Sequence, residues 1–240
     1  MPEDASRKSP RPDYLNHLAL KSRKRDLMSE APPKPRRDSR TGDERQIEPI
    51  RSSMKGGTRM AKVKTPINRS VMGLISPKPV VLVTCIDEKG KPNIITIAAV
   101  AGAGHNPPMF SIAVREDRYS YNLIEKAGEF VINVPTASMG KESAICGRLS
   151  GKNVDKFKEA KLTPVPAEIV KAPLIKECPI NIECKVVGSV KPGTHRIFVG
   201  QVVATHVEEG VFNGRLDLRK LPTLIWNQVE YLRPGEPVES

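Results

Sequence analysis

The chain of 240 residues has no long apolar run, and none of its hydrophobic stretches approaches the ~18 residues of a membrane-spanning helix. A secretory signal is not predicted, because the N-terminus has no apolar h-region. The first 59 residues include nine Asp and Glu, which disfavours a transit peptide, since transit peptides are poor in acidic residues. We therefore expect a cytoplasmic protein with no membrane partner.

Cysteine is scarce: the chain has four, Cys85, Cys146, Cys178 and Cys184, and none of them forms a C-x-x-C pair. No histidine cluster accompanies them, so we predict no zinc site or other metal site. Cys85 lies within an apolar run, where a buried free thiol is the ordinary interpretation. This usage fits a reduced, cytoplasmic protein.

Several motifs that are typical of nucleotide-binding or hydrolytic enzymes are absent. The chain contains neither G-x-G-x-x-G nor G-x-x-x-x-G-K-[ST], and its strands and helices do not alternate regularly enough for a Rossmann fold. It also contains neither G-x-S-x-G nor H-E-x-x-H, so hydrolytic chemistry is unsupported.

The first 59 residues contain no Val, Phe, Trp or Cys, whereas the remaining 181 contain 22 Val. A segment with so little apolar surface cannot offset the entropy lost when its backbone is ordered. The same segment has 15 Lys and Arg against 9 Asp and Glu, which is half of the formal net charge of +12. We predict a disordered basic extension over residues 1–59 and one folded domain over residues 60–240.

Two other interpretations of residues 1–59 compete with a disordered tail. A nucleic-acid-binding arm would use the basic residues, but Tyr14 is the segment's only aromatic for stacking on bases, so we expect no nucleic-acid partner. A mis-called start is the other interpretation, with translation beginning at Met60. The codons of Lys55-Gly56-Gly57, just upstream, can read as a bacterial ribosome-binding site.

From Val80 onward the sequence changes to a strand-rich pattern with clear turns. Helical patterns are few and short, with Ser120 as the expected N-cap of one helix and Asp155 of another. Six or seven strands with few helices predict a mainly β protein, a β-barrel with peripheral helices. The predicted strands are Val80–Ile86, Asn93–Ala98, Met109–Val114, Glu129–Val134, Ile180–Val190 and Arg196–Val207, with Leu221–Val229 closing the chain.

Four places in this body are candidates for function. After Asn93–Ala99 the chain continues in small residues, which let a backbone approach a flat ligand closely or simply allow tight strand packing. Arg115 to Ser120 joins a strand end to a helix start and contains two arginines, a pattern suited to phosphate or to a solvated loop. Cys146–Phe157 is either a second anion site with Lys152 or only a capped helix. His195 follows a Pro-Gly turn and titrates near neutral pH, although a lone histidine there is often structural.

Seven stretches of the body match a known family in order and spacing: Pro79–Thr84, Gly90–Thr96, His105–Met109, Arg115 with Ser120 and Asn122–Ile124, Gly128–Pro135, Ser150-Gly151 with Asp155–Phe157, and Gly193–Val202. On these stretches, residues ~63–235 resemble the flavin reductase-like family, the FMN-binding split β-barrel proteins that include flavoredoxins.

The resemblance implies a Greek-key split barrel that binds FMN near the interface of a homodimer. The segment matching Asn93–Ala99 would line the ring and ribityl chain, Arg115 and Ser120 would lie near the phosphate, and His195 would lie where a nicotinamide could stack. The predicted site comprises His195 as the catalytic residue and Thr84, Asn93, Ile94, Ile95, Thr96, Ile97, Ala98, Ala99, Val114, Arg115, Ser120 and Lys152 as cofactor-binding residues.

The activity implied is that of an NAD(P)H-dependent flavin reductase, in which the flavin carries the redox chemistry and the protein supplies binding and electrostatics. The alternative is a flavoredoxin-type carrier whose tightly bound FMN is reduced by a partner protein. An acidic redox partner would suit the basic body. Thr194 and Gln201 stand where the family more often has Asp and Glu, which weakens the expected contacts to NADH or NADPH.

Overall fold

The computed structural model describes residue 67 and residues 69–235, so the predictions for residues 1–59 and for a start at Met60 lie outside the described residues. Within the described part, no helix is long and apolar enough to cross a membrane. Twelve strands are described in this part of the chain: β1 Lys78–Pro79, β2 Val81–Ile86, β3 Pro92–Ile97, β4 Val100–His105, β5 Pro108–Arg115, β6 Glu129–Val134, β7 Pro164–Val165, β8 Leu174–Ile175, β9 Ile180–Val190, β10 His195–Val207, β11 Ile225–Trp226 and β12 Tyr231–Leu232.

The helices of the described part are short, and all but the first lie between strands. The α-helices are α1 Tyr119–Ala127, α2 Gly140–Arg148 and α3 Lys156–Glu159, and the 3-10 helices are Arg69–Gly73 and Ala137–Met139.

Seven strands form one antiparallel sheet in the order β3-β2-β6-β9-β10-β5-β4. The hairpins β2-β3, β4-β5 and β9-β10 are local, but β6 lies between β2 and β9, and β5 lies beyond β10. Such crossing connections are typical of Greek-key arrangements. Two small sheets accompany it, β1-β11-β12 and β7-β8. The mainly β fold with peripheral helices is therefore confirmed.

The strands form where β-branched residues run consecutively. Val81, Val83, Phe130 and Ile132 pack with helix α1 residue Ile124 in one core cluster on one side of the sheet. Leu82 and Ile94 point to the other side and pack with residues of α2 and α3. Both faces of β2 are thus buried, which explains why its sequence is a continuous run of apolar residues and does not alternate between apolar and polar ones.

Strand β4 was missed by the sequence analysis. Val100–His105 reads Val-Ala-Gly-Ala-Gly-His, and Ala and Gly have low strand propensity, so the segment looked like a small-residue loop. Pairing with β5 holds it in the sheet, where it forms one of the two edges. The same pairing leaves Ala101, Gly102 and Ala103 exposed.

Candidate functional site

A cavity of about 110 Å³ lies where the start of α1 meets the end of α2 and the loop that follows. Strand β3 contributes Ile95 to its wall. The two segments suspected separately of binding anions, Arg115–Ser120 and Cys146–Phe157, therefore line one cavity. Its polar lining comes from Asp117, Arg118, Tyr119, Ser120, Ser150 and Lys156.

Two wider clefts are less suitable as sites. One of about 780 Å³ lies between the β2-β3 turn and α1, and another of about 810 Å³ lies along residues 210–220. Their rims mix carboxylates with cations, and several of these already pair with each other, such as Lys126 with Glu88 and Arg219 with Asp217. Neither is lined by a buried charged group, whereas the small cavity is.

Lys156 is that buried charge. It is only 5% exposed, and its Nζ donates hydrogen bonds to the carbonyl oxygens of Ile94 at 2.7 Å and Cys146 at 2.8 Å. No salt bridge of Lys156 to a carboxylate occurs within the described residues. Burial lowers the pKa of the Lys156 ammonium, and the Arg118 guanidinium lowers it further. A buried cation without an anion is costly, so this cavity favours an anionic ligand.

Lys156 owes its position to helix α3, which is only one turn long. Asp155 caps it as predicted, because its carboxylate accepts hydrogen bonds from the backbone N–H groups of Phe157 and Lys158. Phe157 and Ala160 are buried in the cluster behind the cavity, so the helix lies flat on β3 and α2. This packing turns the Lys156 side chain inward.

Ser120 lies on the cavity wall but is not the N-cap that the sequence predicted. Helix α1 begins one residue earlier, at Tyr119, and its N-cap is Arg118, which makes no side-chain capping bond. The Ser120 hydroxyl is instead buried and accepts a hydrogen bond from Nδ2 of Asn93 at 2.7 Å. A tertiary partner therefore outcompetes the local cap.

Gly151 closes the cavity from the side of the loop after α2. A Cβ atom there would lie 1.9 Å from Oδ1 of Asn93 and 3.3 Å from the Tyr119 ring. No side chain fits in that space, so only glycine allows the loop to approach β3 and α1 so closely.

The predicted phosphate loop lies beside the cavity. The Arg115 guanidinium is exposed and pairs with the carboxylate of Asp117, whereas Arg118 lines the cavity directly. His195 pairs with Arg115 across β10 and β5. Burial and the Arg115 charge lower the pKa of His195 below its ordinary value, which favours the neutral imidazole at pH 7.

The predicted β3 residues divide between the cavity and the core. Ile95 lines the cavity and Asn93 contacts it through Ser120, but Ile94 and Ile97 are core residues, and Thr96 donates its hydroxyl to the Ser143 carbonyl. Beyond the strand, Ala98 is half-buried and Ala99 is exposed.

Three other predicted residues are not brought to the cavity. Thr84 is fully buried in β2, and its hydroxyl donates to the carbonyl oxygen of Pro173. Val114 is a core residue of β5, so only its backbone is positioned near the loop. Lys152 is exposed and does not line the cavity.

Arg118, Ser150 and Lys156 lie within the two segments predicted to bind anions, but they were not named among the predicted site residues. The sequence does place Lys156 between the helix cap Asp155 and the buried Phe157. It therefore belongs to the first turn of a short helix that packs against the rest of the domain. That signal does not reveal burial of the ammonium, because the burying residues lie about 60 positions away in β3.

The antiparallel sheet of this order belongs to the split-barrel class of β proteins, and the cavity beside β3 is lined by the buried Lys156. The sequence profile of the flavin reductase like domain matches residues 72–233, so the chain belongs to that family. The recognition made from the sequence is thereby confirmed.

Similar proteins include both curated sequences and solved structures. An uncharacterised protein of Archaeoglobus fulgidus is 40% identical over 120 residues, which is 50% of this chain and 67% of that protein. The flavoredoxin of Desulfovibrio vulgaris (Miyazaki F) superposes with a TM-score of 0.67 at 31% identity, covering 75% of this chain and 97% of that one. Flavoredoxin from Methanosarcina acetivorans gives the same TM-score and identity, with 75% and 95% covered.

Proposed function

We propose that this protein is an FMN-binding oxidoreductase, an NAD(P)H-dependent flavin reductase that passes electrons from a nicotinamide to FMN and onward. The observation that carries the proposal is the buried Lys156 ammonium, which has two carbonyl partners and no salt-bridged carboxylate in the described part of the chain. A phosphate group is the anion that a flavin mononucleotide would bring to it.

The residues present fit that phosphate. The Lys156 ammonium, the Arg118 guanidinium and the Ser120 hydroxyl are all donors, and they come from two segments, the start of α1 and helix α3, around one cavity. Asp117 is the one carboxylate on the lining, and its charge is paired with Arg115. The cavity is therefore selective for an anion rather than a neutral ligand.

The flavin ring would lie along the unpaired edge of β3 and the small residues Ala98 and Ala99 that follow it, because β3 pairs with β2 on one side only. Bound FMN supplies the electron-transfer chemistry, and the chain supplies binding and orientation. The neutral imidazole of His195, held opposite Arg115, would contact the ring or the nicotinamide without adding positive charge. No protein nucleophile is required.

A second function, that of an electron carrier with tightly bound FMN, is favoured by two observations. The similar solved structures include two flavoredoxins, each 31% identical to this chain. Thr194, just before β10, and Gln201, within it, also stand at positions where the family more often has carboxylates. In this alternative, a partner protein reduces the flavin. In either case, we propose a cytoplasmic homodimer.

Anaerobic mixing of the FMN-loaded protein with NADH or NADPH distinguishes the two functions. Bleaching of the flavin's visible absorption band is the result expected for the reductase. Bleaching only by a reduced ferredoxin, with no response to either nicotinamide, would replace it by the carrier. A purified protein that neither contains nor takes up flavin would contradict both.

A further inference from the structure

Asn93 is a buried polar residue whose contacts reach three segments. It is 3% exposed, and its Nδ2 donates to Oγ of Ser120 at 2.7 Å and to Sγ of Cys85 at 3.8 Å. Its Oδ1 is buried, has no hydrogen-bond partner, and lies against Gly151. Asn93 thus links β2, the first turn of α1 and the loop that closes the cavity.

We infer that Asn93 is a positioning residue that fixes the Ser120 hydroxyl as a donor into the phosphate cavity and so sets the preference for phosphorylated flavin. This inference rests on the proposed function. It assigns to Asn93 an action through Ser120 in place of the direct contact with the cofactor that was predicted from the sequence.

The contacts of Ser120 determine where its hydroxyl proton points. A serine hydroxyl has one proton and accepting lone pairs, and the Asn93 amide occupies an accepting position. The hydroxyl proton must therefore point away from Asn93. Among the described residues, no hydrogen bond is donated by Ser120 Oγ to an oxygen, whereas Ser120 lines the cavity.

The Cys85 thiol also lies within hydrogen-bond reach of the Ser120 hydroxyl and is the other acceptor available to that proton. Burial raises the pKa of Cys85 to about 12, so the thiol stays protonated at neutral pH. A protonated thiol is a weak acceptor, whereas a phosphate oxygen is a strong one. The Ser120 proton is therefore directed to an anion in the cavity.

The Asn93 side chain also holds Ser120 and the loop at Gly151 in fixed positions. Ser120 is 2% exposed, and the loop at Gly151 packs directly on the Asn93 side chain. Moving the Asn93 amide would release Ser120 and open the loop at the same time. Both changes affect the phosphate cavity, but neither reaches Ala98 and Ala99, where the ring is proposed to lie.

The test uses the full-length apo protein and measures the dissociation constants of FMN and of riboflavin, which lacks the phosphate. For Asn93→Leu we expect FMN affinity to fall roughly tenfold, the effect of one hydrogen bond to a charged group, and for the isosteric Asn93→Asp, whose carboxyl accepts the Ser120 proton and repels phosphate when ionised, at least as much. Riboflavin affinity should stay within about twofold. Asn93→Asp keeps the shape of the side chain, so it remains informative if Asn93→Leu does not fold.

A double-mutant cycle with Ser120→Ala then separates positioning from simple stability. If Asn93 acts through Ser120, adding Asn93→Leu to Ser120→Ala lowers FMN affinity no further. Cys85→Ala is the matched control, because it removes the other partner of the same amide nitrogen and should leave the FMN-to-riboflavin ratio unchanged.

Equal losses for both flavins, or additive losses in the cycle, would overturn the role of Asn93 while leaving an FMN-preferring wild type and the proposed function intact. A wild-type protein that binds neither flavin would overturn the proposed function itself, and this inference with it.

Discussion

At the scale of single residues, the buried ammonium of Lys156 and the exposed one of Lys152 form a natural comparison, because they lie four positions apart beside the same cavity. Replacing Lys156 by Met removes the charge while keeping most of the side-chain volume. We expect Lys156→Met to weaken FMN binding by about 1.5–3 kcal/mol, the range for a hydrogen bond to a charged group. Isothermal titration of apo protein with FMN measures this loss.

Lys152→Met is the control for that measurement. Lys152 does not line the cavity, so its removal should change FMN affinity by no more than the screened effect of a surface charge, about 0.5 kcal/mol. An equal loss in the two variants would mean that only the overall positive charge matters and that the buried position of Lys156 is unimportant.

Gly200 illustrates a packing constraint in the middle of strand β10. A Cβ atom there would lie 2.5 Å from Cζ of Phe130 and 2.8 Å from Cβ of Cys184, both fully buried. We expect Gly200→Ala to lower the free energy of unfolding by about 1–3 kcal/mol through overpacking. Urea denaturation followed by circular dichroism provides the measurement.

Gly188→Ala is the matched substitution in the neighbouring strand β9, where nothing lies within 4 Å of the added Cβ. Its effect should stay within about 0.5 kcal/mol. If both alanine variants lose the same stability, the cause is strand propensity common to the two sites and not the contact with Phe130.

Individual residues also show how far the sequence can predict a site. The segments around Arg115–Ser120 and Asp155 were found because arginines and helix starts have a local signature. The contacts of Asn93 with Ser120 and of Lys156 with Ile94 were not found, because they join residues 27 and 62 positions apart. Thr84 was predicted at the site from the resemblance, yet its hydroxyl binds Pro173, 89 positions away.

At the scale of elements, two carboxylates of the sheet hold the segment 168–172 in place by hydrogen bonds to its backbone. Glu183 of β9 is fully buried, and its carboxylate accepts hydrogen bonds from the backbone N–H groups of Glu168, Ile169 and Val170 and from Nε2 of His206. Glu129 of β6 accepts from two further backbone N–H groups. Burial alone would raise the pKa of Glu183, but these donors lower it below its ordinary value.

This lowered pKa predicts acid sensitivity. A carboxyl whose pKa is lower in the folded state stabilises the fold above its unfolded pKa, and the contribution is lost as pH falls through the folded pKa. We expect Glu183→Gln to cost on the order of 3 kcal/mol at pH 7 and to flatten the loss of stability below pH ~4.5. Urea denaturation at a series of pH values measures both effects.

Glu209 is exposed, so Glu209→Gln is the control for the pH series. Its free energy of unfolding should follow the wild-type dependence on pH. An unchanged slope for Glu183→Gln at low pH would show that other carboxyls dominate acid unfolding.

Whole elements were predicted better than their contacts. Strands β6 and β9 have the predicted bounds, and β2, β3, β5 and β10 differ by one or two residues, because β-branched runs and turn residues are local signals. Strand β4 was missed because its Ala and Gly residues carry no such signal and its pairing with β5 holds it in place.

At the scale of the whole molecule, the net charge of +12 suggested nucleic acid at first sight. Half of that charge belongs to residues 1–59, outside the family match at residues 72–233. Within the body, cations at the cavity face a proposed phosphate. Composition alone could not reveal this, because it does not say which cations are buried together.

The proposed homodimer is testable at strand β4. This strand is one of the two edge strands of the seven-stranded sheet, directly after the segment proposed to hold the flavin, and its residues Ala101, Gly102 and Ala103 are exposed. A Cβ atom at Gly102 meets nothing within 4 Å, so the chain itself tolerates a side chain there. The Gly102→Lys protein should therefore fold, but the lysine would place an unpaired ammonium in any interface formed by this edge.

We expect Gly102→Lys to weaken dimerisation at least about tenfold, because burying an unpaired charge costs more than the ~1–3 kcal/mol of an unpaired neutral group. Light scattering over a concentration series measures the dimer dissociation constant. Gly188→Lys, at an equally open position of β9, should leave it unchanged. If Gly102→Lys remains as dimeric as the wild type and Gly188→Lys, the dimer does not form through β4, and a flavin held beside this strand would not lie at the interface.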